Sequence, residues 1–219
     1  MSATSIAKIA VPALILLAAG GCSHTGEIDA SGGGAGITAV RSACPHVGVP
    51  AATGDVTLFD PADSREAQAI DVVANITNVK STCDDAGEQV LTNMTFDVFA
   101  RRRDAGPARD VTLPYFIAVV RGGSSVTAKR VSHVTVHFDA GQIRGSAIGQ
   151  ASTSVSHAAA TVPAEVRERL SRKRKAGEAD AATDPLADPS VRSAVASATF
   201  EALVGFQLTE DQLKYNATR

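Results

Sequence analysis

Val90-Leu91-Thr92-Asn93-Met94-Thr95-Phe96-Asp97-Val98-Phe99-Ala100 is the stretch from which the fold class follows. Val90, Thr92, Met94, Phe96, Val98 and Ala100 share one parity, and Asn93, Thr95 and Asp97 fall on the other. Successive side chains of a strand point to opposite faces, so this is the period of a strand with one face buried. Similar runs lie on both sides. Gly54–Phe59 ends at Asp60-Pro61, and Ile70–Cys83 is rich in β-branched residues and closes on the turn Asp84-Asp85-Ala86-Gly87. Beyond the charged loop Arg101–Asp110, Val111–Val120 places Val111, Leu113, Tyr115, Ile117 and Val119 on one face. Its other face, with Phe116, Ala118 and Val120, is apolar too, which fits a central strand, whereas Pro114 fits an edge or a bulge. Gly122-Gly123-Ser124 marks a hairpin. Val126–Phe138 follows, with Val134, Val136 and Phe138 inward and a break expected near Lys129-Arg130, and then the Ser- and Ala-rich Gln142–His157.

Six or seven strands joined by short turns predict a mainly β chain, an antiparallel sandwich or else an open barrel, with the sandwich preferred. In strand count and alternation, Gly54–His157 resembles the immunoglobulin-like sandwiches of secreted bacterial proteins. The remainder reads as helical. Pro163 and Glu165 open a helix over Ala164–Lys175, and the acidic Gly177–Pro189 is a linker. Asp188 caps a second helix whose stripe is Val191, Val195, Ala198, Ala202 and Phe206, expected to pack on the sandwich. Thr209 and Gln212 form a capping box for a last short helix, Glu210–Tyr215. The organisation expected is therefore a leader over 1–21, a tether over 22–53, a sandwich over 54–160 and a helical C-terminal extension over 161–219.

Met1–Lys8 carries one positive charge, Ile9–Leu17 (IAVPALILL) is apolar, and the small residues Ala18-Ala19-Gly20-Gly21 run directly into Cys22. The apolar run is about half of the roughly 20 residues that a membrane span needs, and it contains Pro12. An ordinary secretory signal cut after small residues would share the pattern. The stretch resembles the signal peptide of bacterial lipoproteins, in which a lipobox precedes an acylated cysteine. The resemblance implies that Cys22 is lipidated and anchors the chain to a membrane, each buried acyl CH₂ contributing about 0.8 kcal/mol. Ser23, next to it, implies export to the outer membrane on the periplasmic side, since retention usually needs Asp there. Ser23–Gly36 is a Gly-rich tether. With Cys22 acylated, Cys44 and Cys83 remain as a pair in an oxidising compartment. A disulfide is then expected, worth about 4 kcal/mol in the chain-entropy model, against the alternative of two free thiols.

Composition narrows the functions. The net charge of −2 gives no whole-chain case for nucleic acid, and the lack of Trp among few aromatics argues against a broad stacking platform. His133 and His137 on a strand would stand about 13 Å apart at roughly 3.3 Å per residue, too far for one zinc ion. No cofactor or metal is expected. Arg167, Arg169, Arg172, Lys173, Arg174 and Lys175 form a basic run that could meet an anionic surface or could be a solvated face offset by the acidic stretch after it. No Ser-His-Asp spacing, G-x-S-x-G or phosphate loop occurs, and no catalytic residue is assigned. The expectation is a non-enzymatic, lipid-anchored envelope protein that docks an envelope protein partner. A small-ligand or lipid-binding module is the alternative, and an enzyme without a local motif the third reading.

Overall fold

The computed structural model describes residues 42–172, 177 and 183–218. It is mainly β: two sheets pack face to face, with helices at the C-terminal side. One sheet has the order β1-β8-β5-β6, with β1 at His46–Gly48, β5 at Arg109–Arg121, β6 at Ser125–Phe138 and β8 at Phe200–Phe206. The other has the order β2-β3-β4-β7, with β2 at Asp55–Phe59, β3 at Ile70–Asp84, β4 at Gln89–Arg102 and β7 at Arg144–Ser156. All pairings are antiparallel except β1 with β8.

The alternation of β4 has the expected outcome. Every second residue from Val90 to Arg102 is buried, and each faces the other sheet. The main core lies between the sheets, where Met94, Phe96 and Val98 meet Leu113, Tyr115, Val136, Phe138, Val204 and Phe206. Two glycines allow close approach. A Cβ on Gly149 would lie 2.1 Å from the Phe96 ring, and one on Gly145 would lie 2.5 Å from the His137 carbonyl.

The structure resolves the conflict over β5. The strand is central, between β8 and β6, and both of its faces are buried. Pro114 stands one residue past the β8 ladder, which ends at Tyr115 opposite Phe206. Its carbonyl accepts from Gln207 N, so its missing N–H points to the side where β8 has stopped and no ladder bond is lost.

Three expectations are corrected. The second tail helix stops at Ala198, as α2, Pro189–Ala198, and the remainder of the supposed stripe is strand β8. Phe200, Ala202, Val204 and Phe206 alternate inward, so Ala202 and Phe206 fit a period of two as well as a helical one. The ladder partners offered by β1 and β5 decide for the strand. Phe206 does reach the sandwich core, 1% exposed, but arrives on this strand. Second, the body is not confined to 54–160, since β1 comes from before it and β8 from after it. Third, β6 runs unbroken through Lys129-Arg130, and its irregularity falls at Thr127, which has no ladder partner between Ala128 opposite Val119 and Val126 opposite Val120.

The remaining tail follows its local signals, but its first helix ends at Ser171, where Arg172 is extended, and not at Lys175. Helix α1, Ala164–Ser171, buries Val166 and Leu170 against Val191 and Val195 of α2. Asp188 caps α2 by accepting from Ser190 N at 2.8 Å. In α3, Glu210–Thr218, the capping box is closed: Gln212 N donates to Thr209 Oγ1 and Thr209 N to Gln212 Oε1. Tyr215 packs edge-on to Phe59, and Asn216 Nδ2 donates to the Ala52 and Asp55 carbonyls, holding α3 to the start of β2.

Candidate functional site

The residues singled out in the sequence do not converge. Cys22, and Lys173, Arg174 and Lys175 of the basic run, lie outside the described residues. Cys44 and Cys83 form a disulfide with Cα atoms 6.0 Å apart, which fastens the chain before β1 to the end of β3. Of the basic run, Arg167, Arg169 and Arg172 are described. Arg169 is 2.6 Å from Asp188, and this hydrogen bond, with those from Ser190, holds the Asp188 carboxyl well below the usual carboxylate range. Glu165, Glu168 and Asp184 stand beside Arg169 and Arg172, so the described part of the run is of mixed charge. His133 and His137 are both exposed on the outer face of β6. His137 Nδ1 lies 2.6 Å from Asp110 and Nε2 3.4 Å from Asp139, and the Asp110 hydrogen bond raises its pKa above 6.5. Among the described residues no cluster of His, Cys, Asp or Glu is placed to hold a metal ion.

A concave site does form along one side of the sandwich, between the edge strands β6 and β7. Each is paired on one side only, β6 to β5 and β7 to β4. At one end the two strands touch, with Gly145 against Val136 and His137. Towards the other end they part. Ala128 and Arg130 have the inward parity of Val134, Val136 and Phe138, yet they are exposed, because among the described residues no strand of the facing sheet covers them. The opening holds two cavities of about 430 and 450 Å³, which share Asn93, Ile117, Arg130 and Ser152 and so form one groove. Ile117 and Val119 supply its apolar floor, and Ser, Thr and amide side chains supply much of its rim.

Two side chains of the β5–β6 sheet reach across the groove. Tyr115 Oη donates to the Gln150 carbonyl at 2.5 Å, and Arg130 Nη2 donates to the Ser152 carbonyl at 2.9 Å. Gln150 and Ser152 are two residues apart on β7, so their carbonyls point the same way, towards its free edge. Side chains thus occupy acceptors that a further strand would take. Among the described residues no carboxylate lines either cavity, whereas Lys129 and Arg130 both line the first. The ammonium of Lys129 lies 4.8 Å from the centre of the Phe116 ring.

The sequence reading missed Arg130 as a groove residue, although its parity with Val134 and Val136 was the signal. It was set aside because two adjacent cations were taken to end a strand. The groove itself has no local signature, since it depends on how far two sheets diverge. No family model, curated protein or solved structure matches this chain.

Proposed function

We propose that this protein is a lipid-anchored, non-enzymatic binding module of a bacterial cell envelope, held to the membrane through Cys22 and engaging its partner at the β6–β7 groove. The single observation that carries the binding half is the groove, where an apolar floor lies between two sheet edges that are each paired on one side only. Such edges are the surfaces on which proteins accept additional strands. The anchoring half rests on the lipobox resemblance, and the Cys44–Cys83 disulfide agrees with it, because structural disulfides belong to oxidising compartments. Ser23 after Cys22 favours the outer membrane, facing the periplasm. The groove is open along its length rather than closed over an apolar cavity, which favours a macromolecular partner over a small lipid.

Anchoring is tested by fractionating an expressing bacterium and determining the mass of the mature N-terminus. The expected result is an acylated Cys22 in the membrane fraction and a soluble Cys22→Ser product. An N-terminal peptide beginning elsewhere, or a Cys22→Ser chain that stays in the membrane, refutes the anchor and leaves the groove to its own test.

A further inference from the structure

We infer that the groove takes an extended, acidic segment of a partner protein, added as a strand along the free edge of β6. This rests on the reading of the groove as the binding site and specifies what fills it.

The seven residues Ser125–Val131 are exposed on both faces of β6, and among the described residues no strand neighbours their outer edge. Seven residues at about 3.3 Å each give a docking length of roughly 20 Å, that of an ordinary strand. The inward side chains of this segment set a pattern of period two. Ala128 offers apolar contact, continued below by Ile117 and Val119, and Arg130 offers charge. The matching peptide therefore carries, on the one face it turns inward, an apolar side chain opposite Ala128 and, two residues along, a carboxylate opposite Arg130. Arg130 can serve it, because the acceptor it now holds is a neutral carbonyl, that of Ser152, and a charged acceptor makes the stronger hydrogen bond. With no carboxylate lining the groove, a cationic segment would find no counter-charge there.

An anionic polysaccharide fits less well. The aromatic ring in the groove, Tyr115, is 4% exposed and its hydroxyl is tied to Gln150, so it offers no face for a sugar to stack on. A bilayer fits less well again, because the apolar floor lies recessed between two edges.

The test uses the full chain and three labelled octapeptides: a Val/Glu peptide with Val at position 4, Glu at positions 2 and 6 and Ser elsewhere, so that Val and Glu share one face in either direction, a Val/Lys peptide with Lys in place of Glu, and the Val/Glu peptide N-methylated at alternate backbone nitrogens. Polygalacturonate and anionic phosphatidylglycerol vesicles serve as the other anionic probes. The expected result is binding of the Val/Glu peptide at least about tenfold tighter than of the other two, with slowed amide exchange at Ser125–Val131. Arg130→Glu should weaken it by a similar factor without lowering the melting temperature, and Arg130→Lys should restore part of it. Equal binding of the Val/Glu and Val/Lys peptides overturns the inference, as does protection mapped elsewhere. Groove protection by polygalacturonate or vesicles but not by peptide overturns this inference and leaves the groove a binding site. Protection by none of the probes overturns both. If Arg130→Glu leaves peptide binding intact and makes the chain self-associate, Arg130 only guards the edge against aggregation, and the inference fails.

Discussion

Arg102 shows how much a single side chain can hold in this protein. It is 4% exposed and has no carboxylate among its hydrogen-bond partners. Its Nε donates to Gln142 O, Nη1 to Pro107 O, and Nη2 to Gly106 O and Asp139 O, while the guanidinium lies 5.4 Å from the centre of the Phe138 ring. Four carbonyl dipoles thus stabilise one buried cation, and the cation in turn fixes the β4–β5 loop against the β6–β7 turn. Removing it orphans several partly buried acceptors at a cost of about 1–3 kcal/mol each where water does not replace it. Arg102→Met should therefore destabilise the fold by about 3 kcal/mol in urea denaturation, within the range of broken buried polar networks. Arg102→Lys should recover little, since a single ammonium lacks the planar fork that serves four directions. The residue was legible in the sequence, because it continues the parity of Val90 to Ala100 by one step. Its charge sent it instead to the following loop.

At the scale of elements, strands with strong alternation were read to within a few residues, and the two short strands were missed. His46–Gly48 is three residues long, too short for a period to show, and it lies two residues beyond Cys44, which is fastened to Cys83. Phe200–Phe206 was hidden for a different reason. Ala202 and Phe206 are four residues apart, a spacing shared by one helical turn and by two strand periods, and no local propensity separates the two. Gly205 tips the balance in three dimensions, because a Cβ there would lie 2.3 Å from Thr53 Oγ1. β8 supplies Phe200, Ala202, Val204 and Phe206 to buried clusters. Phe206→Ala should cost about 3–5 kcal/mol and lower the melting temperature of the full chain. An unchanged melting temperature would remove Phe206 from the core.

For the whole molecule, the sandwich class was legible because it is the sum of many half-buried strands, each recognisable alone. The groove was not, because divergence between two sheet edges is a property of their twist and packing and of no single segment. The disulfide acts at this scale too. It closes a loop of 39 residues that contains β1, β2 and most of β3, an entropic constraint on the unfolded chain worth about 4 kcal/mol. The double variant Cys44→Ser, Cys83→Ser should lose stability of that order in urea denaturation. Wild type in reducing buffer should match it, and a reduced wild type as stable as the oxidised form would remove the bridge from the stability of the fold.

The position of β8 also sets an order in time. This strand lies in the interior of its sheet, flanked by β1 and β5, yet it is the last strand of the chain to be synthesised. Until the ribosome has passed Phe206, the β8 side of β5 stays bare and the core lacks Val204 and Phe206. The sandwich is therefore completed late, by contacts far apart in sequence, which form slowly. A chain held unfolded until Phe206 is available would never present this incomplete core.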